Sequence, residues 1–234
     1  MDVSVVIPTL NGRERLAACL DALAERAPGV ETVVANGPSA DGTSGMVRDR
    51  DDVDVLVELD ERNVNVARNA GAARTSGDIV AFLGDELAVE DGWLAGLRDG
   101  FGGSASADEA DDEGDGEQPT GTDDEGDADG GDDAAEPPLG AVSGPTYTQL
   151  RAGVVTEEVE TRTIAGRSVT YVNPLNVAIG REALEAVDGF DEYLETGGAR
   201  DVAHRLAGVG FGVDWQPSMC VRFDPARAPE ARAD

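Results

Sequence analysis

The chain has 234 residues, and its 48 acidic residues against 18 basic ones give a formal net charge of -30. Every one of those basic residues is Arg, because the sequence contains no Lys. Nucleic acids and anionic membrane surfaces would repel so acidic a protein, which argues against both as partners.

The length is sufficient for one domain with a sizeable core. The charge is typical of a protein from a halophilic source, because a Debye length of roughly 3 Å at 1 M salt screens self-repulsion. The alternative is a protein from ordinary salt that carries one acidic tract.

No secretion signal, membrane span or disulfide framework is predicted. The two cysteines form no metal or disulfide pattern, and Cys19 falls on the apolar face of the first predicted helix, which favours a core thiol. No apolar run approaches the ~20 residues that cross a bilayer. We therefore expect a cytoplasmic protein without a transmembrane segment, which could still act at the inner membrane face on a lipid-borne acceptor.

The first hundred residues alternate between strand and helix patterns, which predicts an α/β domain with a mostly parallel sheet. Strands are predicted at 2–7, 30–34, 53–59 and 79–83, with an amphipathic helix ending near Gly29. The turn after the first strand, Pro8 to Gly12, is neither a dinucleotide-binding fingerprint nor a P-loop. Dehydrogenase and NTPase functions are disfavoured for that reason.

Two polar residues in this half have both a structural and a binding interpretation. Asp41 can cap the helix that follows it or contact a nucleotide. Arg68, on the helix before the fourth strand, suits a phosphate or a flat base through its rigid fork of donors. The alternative for Arg68 is an ion pair with a neighbouring acid.

The fourth strand ends on Gly84, Asp85 and Glu86. The carboxyl ends of strands are where an open α/β sheet binds its ligand. Hard carboxylate oxygens suit Mg²⁺ or Mn²⁺, which proteins usually share with substrate phosphates. The alternative is two solvated acids at a strand end.

Residues 103–138 change character completely and contain no aromatic side chain and no aliphatic one larger than Ala. They hold 15 of the 48 acids and no base, so the rest of the chain carries -30 + 15 = -15. Such a segment is predicted to be a disordered acidic insert. Its acids match EF-hand spacing in part from Glu125 to Glu136, but no apolar residues are present to build flanking helices.

The second half resumes with a predicted strand at 139–145, a strand or irregular lid at 147–163 and a strand at 168–172. A helix at 181–187, a turn at 188–192, a helix containing Asp201 and two terminal strands at 211–215 and 219–223 follow. Residues 224–234 are expected to form a tail.

Three stretches, in this order, resemble the family-2 inverting glycosyltransferases of the GT-A fold. They are the residues 3–11, the residues 67–86 with Ala67-Arg68-Asn69 and Gly84-Asp85-Glu86, and the turn Gly189-Phe190-Asp191-Glu192. The resemblance implies one Rossmann-like GT-A domain with a mostly parallel sheet flanked by helices. Its nucleotide-sugar-binding half is 1–102, and its acceptor-side half is 139–223.

The same resemblance implies the chemistry of the site. The donor is a nucleotide-diphosphate sugar. The acceptor is a hydroxyl group, and a lipid-linked glycan is one molecule that could carry it. Thr9, Asp41, Arg68 and Asp85 would bind the donor, and Asp85 with Glu86 would hold Mg²⁺ or Mn²⁺. Asp201 would be the general base that takes the acceptor's proton, giving inversion. The alternative for Asp201 is a structural role, in which it forms an i,i+4 ion pair with Arg205.

The chain departs from the family's pattern where Ala35, Gly84 and Arg200 each replace an acid. These departures leave open a non-catalytic member of the fold that binds a nucleotide or serves an active partner. A nucleotidyltransferase is a third possibility, although it normally needs a Gly-rich phosphate loop near the N-terminus.

Overall fold

The computed structural model describes residues 1–102, 137–150, 153–156, 161–164 and 167–223. The predicted acidic insert lies outside these residues except for Pro137 and Pro138, as does the whole predicted tail. In chain order the elements are β1 (Val3–Thr9), α1 (Arg13–Arg26), β2 (Glu31–Asn36), α2 (Thr43–Arg48), β3 (Val55–Glu58), α3 (Val64–Ala72), β4 (Ile79–Leu83), β5 (Leu87–Val89), α4 (Trp93–Gly102), β6 (Leu139–Ser143), β7 (Thr146–Leu150), β8 (Gly153–Thr156), β9 (Thr161–Ile164), β10 (Arg167–Thr170), β11 (Asn176–Gly180), α5 (Arg181–Ala186), α6 (Gly198–Gly208), β12 (Gly212–Trp215) and β13 (Val221–Phe223).

The main sheet has seven strands in the order β3-β2-β1-β4-β11-β6-β12. All neighbours pair in parallel except β11, which runs antiparallel to both β4 and β6. Both faces of this sheet are covered by apolar clusters. The predicted α/β architecture with a mostly parallel sheet is confirmed.

The strands at the centre form because their residues are apolar without alternation, as expected when both faces are buried. Every residue of β4 is buried, and so are all residues of β1 except Pro8. Helix α1 covers one face with Leu16, Leu20 and Leu23, and Cys19 is a buried free thiol beside them, as predicted. Burial raises the pKa of that thiol far above its usual range.

Helix α3 lies close against β1 because Gly71 carries no side chain at the contact. A Cβ there would overlap Cγ1 of Val6. This close approach holds the α3 residues Asn65 and Arg68, both buried, beside the carboxyl ends of the central strands.

A second sheet of four strands, in the order β5-β13-β7-β8, was not predicted as such. Its strand β13 corresponds to the predicted strand at 219–223, and β7 and β8 fall in the stretch predicted as a strand or irregular lid. The predicted strand at 139–145 is shorter than expected, because the chain leaves the main sheet at Gly144. A Cβ at Gly144 would overlap the carbonyl of Met219. In the part of the chain that the structure describes, no helix combines the length and the apolar character of a membrane span.

Candidate active site

The carboxyl ends of β1 and β4 bring Thr9 and Asp85 together, although 76 residues separate them. The Thr9 hydroxyl donates to Oδ2 of Asp85 at 2.5 Å, and both residues are buried, at 6% and 5% exposure. Two residues that the sequence predicted for donor binding therefore lie in one hydrogen-bonded pair at the strand ends.

Arg15, which the sequence reasoning missed, completes this cluster. Its Nε donates to Oδ1 of Asp85 at 2.9 Å, and its other nitrogens donate to the carbonyls of Leu10 and Asn11. Burial disfavours the charged form of Arg15, but Asp85 outweighs that effect and the pKa of the guanidinium is raised. Both oxygens of Asp85 thus have protein partners. An Arg in the first turn of a helix, where the dipole disfavours a cation, is the sequence signal that could have indicated a specific acidic partner.

Glu86 is less buried than Asp85 and lines a cavity of about 130 Å³ together with Arg68, Gly84 and Pro174. Burial, together with the carboxylate of Asp85, raises the pKa of Glu86. A carboxylate whose charge is disfavoured in this way is suited to receive a cation.

The donor set at the end of β4 consists of the two predicted carboxylates, Asp85 and Glu86, which both line the smaller cavity. The described residues contain no group of three or more His, Cys, Asp or Glu that could hold a metal ion. Asp85 accepts one hydrogen bond on each oxygen, from Thr9 and Arg15, and each oxygen keeps a further lone pair, so Asp85 and Glu86 both stay predicted metal ligands. This set fits a divalent ion that takes most of its ligands from donor phosphates and water.

Arg68 is a buried cation without an acidic partner among the described residues. It is 5% exposed, and it donates to the side-chain oxygen of Asn65 at 2.9 Å and to the carbonyl of Pro174 at 3.0 Å. Its Nε has no hydrogen-bond partner, and its guanidinium lies 5.0 Å from the ring centroid of Phe190. Burial lowers the pKa of Arg68 to about 10, so it remains protonated at neutral pH. The alternative of an ion pair with a neighbouring acid is not what the structure contains.

Asp41 has a structural position between the first two helices. Its carboxylate accepts from the backbone N–H of Arg13 at 2.9 Å and of Thr43 at 3.1 Å, the first residues of α1 and α2. The N-cap residue of α2 is Gly42, so the predicted cap acts from one position earlier. Partial burial opposes ionisation of Asp41, but the hydrogen bonds from Thr43 and Arg13 outweigh it and lower the pKa.

The loops after β1 and β2 are joined by further hydrogen bonds. The Asn11 N–H donates to Ser39 Oγ at 2.8 Å, and the Asn11 side chain accepts from the N–H of Ala40 at 2.8 Å. Asn36, a residue that the sequence reasoning passed over, ends β2 opposite Thr9 and is bonded to Ser39 and Ser44. These loops form one continuous polar rim.

A larger cavity of about 540 Å³ lies beside the smaller one. Val64, Arg68 and Pro174 line both. The remaining lining residues come from α3, the stretch before β11, the loop before α6, the start of α6, and β12, and they are Asn65, Tyr171, Val172, Asn173, Glu195, Thr196, Gly197, Gly198, Ala199, Arg200 and Trp215. The two cavities together are large enough for a nucleotide and a sugar.

Asp201 lies in the first turn of α6, one residue beyond the wall of this larger cavity. Its carboxylate pairs with Arg205 at 2.6 Å, and the two side chains are 30% and 31% exposed. The Arg205 guanidinium also donates to the carbonyl of Gly189 at 2.8 Å. The predicted i,i+4 pair is present, and the α6 side chain that lines the cavity is that of Arg200.

Helix α3 also holds the turn at 188–192. The Asn69 side chain accepts from the Phe190 N–H at 2.9 Å and donates to the Phe190 carbonyl at 2.8 Å. Gly189 has a φ of 68°, and a Cβ there would lie 2.6 Å from the Asn69 side chain. The Ala-Arg-Asn segment and the Gly-Phe-Asp-Glu turn, far apart in sequence, are therefore one structural unit.

Comparison with known proteins agrees with this geometry. Residues 4–103 match the family described as glycosyl transferase family 2. The chain is 24% identical to the glycosyltransferase AglE of Haloferax volcanii over 96% of this chain and 67% of that protein. It is 25% identical to the pre-mycofactocin glycosyltransferase of Mycobacterium tuberculosis, over 95% of this chain and 43% of that protein.

Solved structures show the same fold. The mannosyltransferase PcManGT from Pyrobaculum calidifontis, in complex with GDP-Man and Mn²⁺, has a TM-score of 0.59 at 20% identity and covers 98% of this chain. TarS from S. aureus, residues 1–349 with UDP-GlcNAc, has a TM-score of 0.68 at 15% identity over 100% of this chain. The chain spans 58% and 62% of those two structures. It therefore has the GT-A fold, and its residues 4–103 match family 2 of the glycosyl transferases.

Proposed function

We propose that the chain is a glycosyltransferase that moves a sugar from a nucleotide-diphosphate sugar to a hydroxyl acceptor with inversion. The observation that supports this proposal is Arg68, a buried cation that lines two adjoining cavities. Among the described residues, the hydrogen-bond partners of Arg68 are neutral. A buried charge without a counter-ion is costly, and an anionic ligand removes that cost. A diphosphate is such a ligand.

The donor's nucleotide lies along the polar rim after β1 and β2, with Thr9 and Asn36 at its base and Asp41 holding the loops in position. Its diphosphate extends toward Arg68. Charge grows on the diphosphate as the sugar bond breaks, so Arg68 stabilises the transition state more than the ground state. The relatives with bound GDP-Man and UDP-GlcNAc support this class of donor.

Asp85 and Glu86 are the carboxylates that would hold a divalent ion, and Mn²⁺ in the PcManGT complex supports such a metal. When bound, the ion would neutralise further charge on the leaving diphosphate. Asp85 contributes by position, since its pair with Thr9 and Arg15 holds the strand end beside Glu86.

Asp201 is the proposed general base. It would take the proton of the acceptor hydroxyl while that oxygen attacks the sugar carbon from the face opposite the diphosphate. The new carbon–oxygen bond forms as the bond to the diphosphate breaks, with the electron pair leaving on the phosphate oxygen. To act in this way its carboxylate must turn from Arg205 toward the cavity, a rotation that its partial exposure permits.

Transfer assays of two carboxylate variants test the mechanism. Asp201→Asn should lower the transfer rate about 10² to 10⁴-fold while leaving donor affinity unchanged. Glu195→Gln is the matched control, since Glu195 is the carboxylate that lines the larger cavity. Full activity in Asp201→Asn, with activity lost in Glu195→Gln, would assign the base to Glu195 instead.

A second candidate is a non-catalytic nucleotide-binding subunit. It is favoured by the two arginines that pair with predicted site acids, Arg15 with the donor- and metal-binding Asp85 and Arg205 with the general base Asp201. Donor binding without turnover, in wild-type protein given a wide range of acceptors, would establish this second function.

We place the protein in a salt-rich cytoplasm, at the inner membrane face where lipid-linked acceptors would be available. The net charge of -30 and the Haloferax relative support the salt-rich setting, and salt at that concentration would screen the repulsion between the acidic protein and an anionic membrane.

A further inference from the structure

Residues 191–197 form the loop that precedes α6, and three residues of this loop line the larger cavity. In the part of the chain that the structure describes, the hydrogen bonds that join residues 191–196 to another segment are all donated by asparagine side chains. These are Asn63, the N-cap residue of α3, and Asn65 and Asn69 within that helix. The position of the loop therefore depends on α3.

Asn65 differs from the other two asparagines because it also contacts the donor side of the site. It is 1% exposed, and its Oδ1 accepts from Nη1 of Arg68 at 2.9 Å. Its Nδ2 donates to the carbonyls of Asp191 at 2.9 Å and Leu194 at 3.0 Å. An arginine only donates and a backbone carbonyl only accepts, so these partners fix the orientation of the amide. One buried amide thus connects the cation of the donor site with the loop.

The start of α6 packs against the same amide. Gly198 is the first residue of α6, and it is buried. A Cβ on Gly198 would lie 2.7 Å from Nδ2 of Asn65, a distance that leaves no room for a side chain. Asp201, the proposed general base, lies in the first turn of this helix. A shift of the Asn65 amide would therefore move the loop and the start of α6 together.

Arg68 can bind an anion without releasing Asn65. A guanidinium has five N–H groups, and the hydrogen bonds of Arg68 to Asn65 and Pro174 use two of them. Its Nε has no hydrogen-bond partner, and the residue lines both cavities. A diphosphate that binds the remaining donors restricts the guanidinium. Through the hydrogen bond to Oδ1 it restricts the Asn65 amide as well.

We infer that Asn65 is a positioning residue that couples donor binding at Arg68 to the 191–197 loop. A bound nucleotide holds Arg68, and Arg68 holds the Asn65 amide. The amide in turn holds the loop and the start of α6 in place for the acceptor. Because such coupling is reciprocal, an ordered loop also raises the affinity for the nucleotide. The inference rests on the proposed function, which assigns Arg68 to the donor diphosphate.

Hydrogen exchange of the loop amides, measured by mass spectrometry on the full chain in molar KCl, tests this coupling. The probes are uridine diphosphate and guanosine diphosphate with Mn²⁺, each at a saturating concentration that calorimetry establishes for every protein. In wild type, the nucleotide that binds should slow exchange across residues 191–198 by about fivefold or more. A peptide from α4, whose residues line neither cavity, is the internal reference.

Two changes at Asn65 should abolish this slowing. Asn65→Ala removes the amide. Asn65→Asp keeps an acceptor for Arg68, but an ionised carboxylate cannot donate to the loop carbonyls. The Asp variant is of equal size, so it provides the test if the Ala variant does not fold.

Asn63→Ser is the matched control. A Ser retains the helix cap but loses the hydrogen bond from Asn63 to the Glu192 carbonyl, and it leaves the Asn65 side chain in place. This variant should exchange faster without nucleotide and should still slow when nucleotide binds. Each protein is compared with itself at saturation, so a merely structural role would change the exchange rate without nucleotide and not the response to it.

Nucleotide binding that leaves loop exchange unchanged, or slowing that persists in the Asn65 variants, would overturn the inference and leave the donor site intact. Folded wild-type protein that binds neither nucleotide would refute the donor site and the coupling together. Slowing that depends on Asn65, in a protein that transfers no sugar, would support the coupling and refute the transferase.

Discussion

The guanidinium of Arg15 neutralises the charge of Asp85. Both Asp85 oxygens have partners, and its side chain is 7% exposed, so the charge of this carboxylate is compensated within the protein. A buried ion pair adds little net stability, but removal of one partner leaves an uncompensated buried charge. These two contacts of Asp85 fix the end of β4 against the loop after β1.

Arg15→Gln should therefore lower the free energy of unfolding by about 3 kcal/mol, because Asp85 would lose its counter-charge. Denaturant titration at fixed salt measures this loss. Arg48→Gln provides the comparison, since its pair with Glu58 is 57% and 52% exposed and should contribute little to stability.

The double variant Arg15→Gln with Asp85→Asn should recover most of the stability, because no buried charge then remains. If Arg15→Gln proved no more harmful than Arg48→Gln, the pairing with Asp85 would not have the role assigned to it.

At the scale of elements, the connection between β1 and α1 is built on a close approach at Gly12. A Cβ on Gly12 would overlap both Oδ2 of Asp85 and Oγ1 of Thr9. These two atoms form the hydrogen bond at the floor of the site. Because Gly12 has no side chain, the loop can lie directly over the hydrogen bond between Thr9 and Asp85.

Gly12→Ala should displace that hydrogen bond, with a loss of about 1 to 3 kcal/mol in unfolding free energy and weaker nucleotide binding. Gly45→Ala, in α2, is a suitable control because a Cβ there meets no atom within 4 Å and Ala favours a helix. Thermal unfolding of the two variants compares them. Equal midpoints would show that the loop accommodates the methyl group.

The central strands β1 and β4, which the sequence predicted, are almost uniformly buried. The apolar runs of β1 and β4 could be recognised because both faces of the central strands are covered. The strand β5 was missed because its three residues follow directly after the two acids and form no recognisable run. Its pairing with β13 joins residues more than 130 positions apart and leaves no local pattern.

The candidate site was predictable in its residue types and not in its pairings. Asp85 and Glu86 were predicted because they follow a recognisable strand, and Thr9 and Arg68 because their segments resemble the glycosyltransferase family. Arg15 could not be assigned to Asp85, since the two are 70 residues apart and meet only through the loop geometry. Which α6 side chain lines the cavity depends on helix rotation, which the pattern at 200–206 left open.

For the whole molecule, the contrast between net charge and site charge is the main physical feature. The chain has a formal net charge of -30, yet two arginines, Arg68 and Arg200, line the larger cavity. At low ionic strength the surrounding acids would repel an anionic donor and oppose folding. A Debye length of roughly 3 Å at 1 M removes that long-range repulsion and leaves the contacts inside the cavity. Donor binding is accordingly expected to be strongest in concentrated salt.

The measurement that tests the donor site most directly is calorimetric titration in molar KCl, with and without Mn²⁺. The ligands are uridine, guanosine and thymidine diphosphate-sugars, and the proteins are wild type, Arg68→Gln and the control Arg74→Gln, a change at an exposed residue just after α3. The account predicts that one donor binds in the presence of Mn²⁺, that Arg68→Gln weakens it at least about tenfold and that Arg74→Gln does not. Folded wild-type protein that binds none of these donors, or equal affinity in Arg68→Gln, would contradict it.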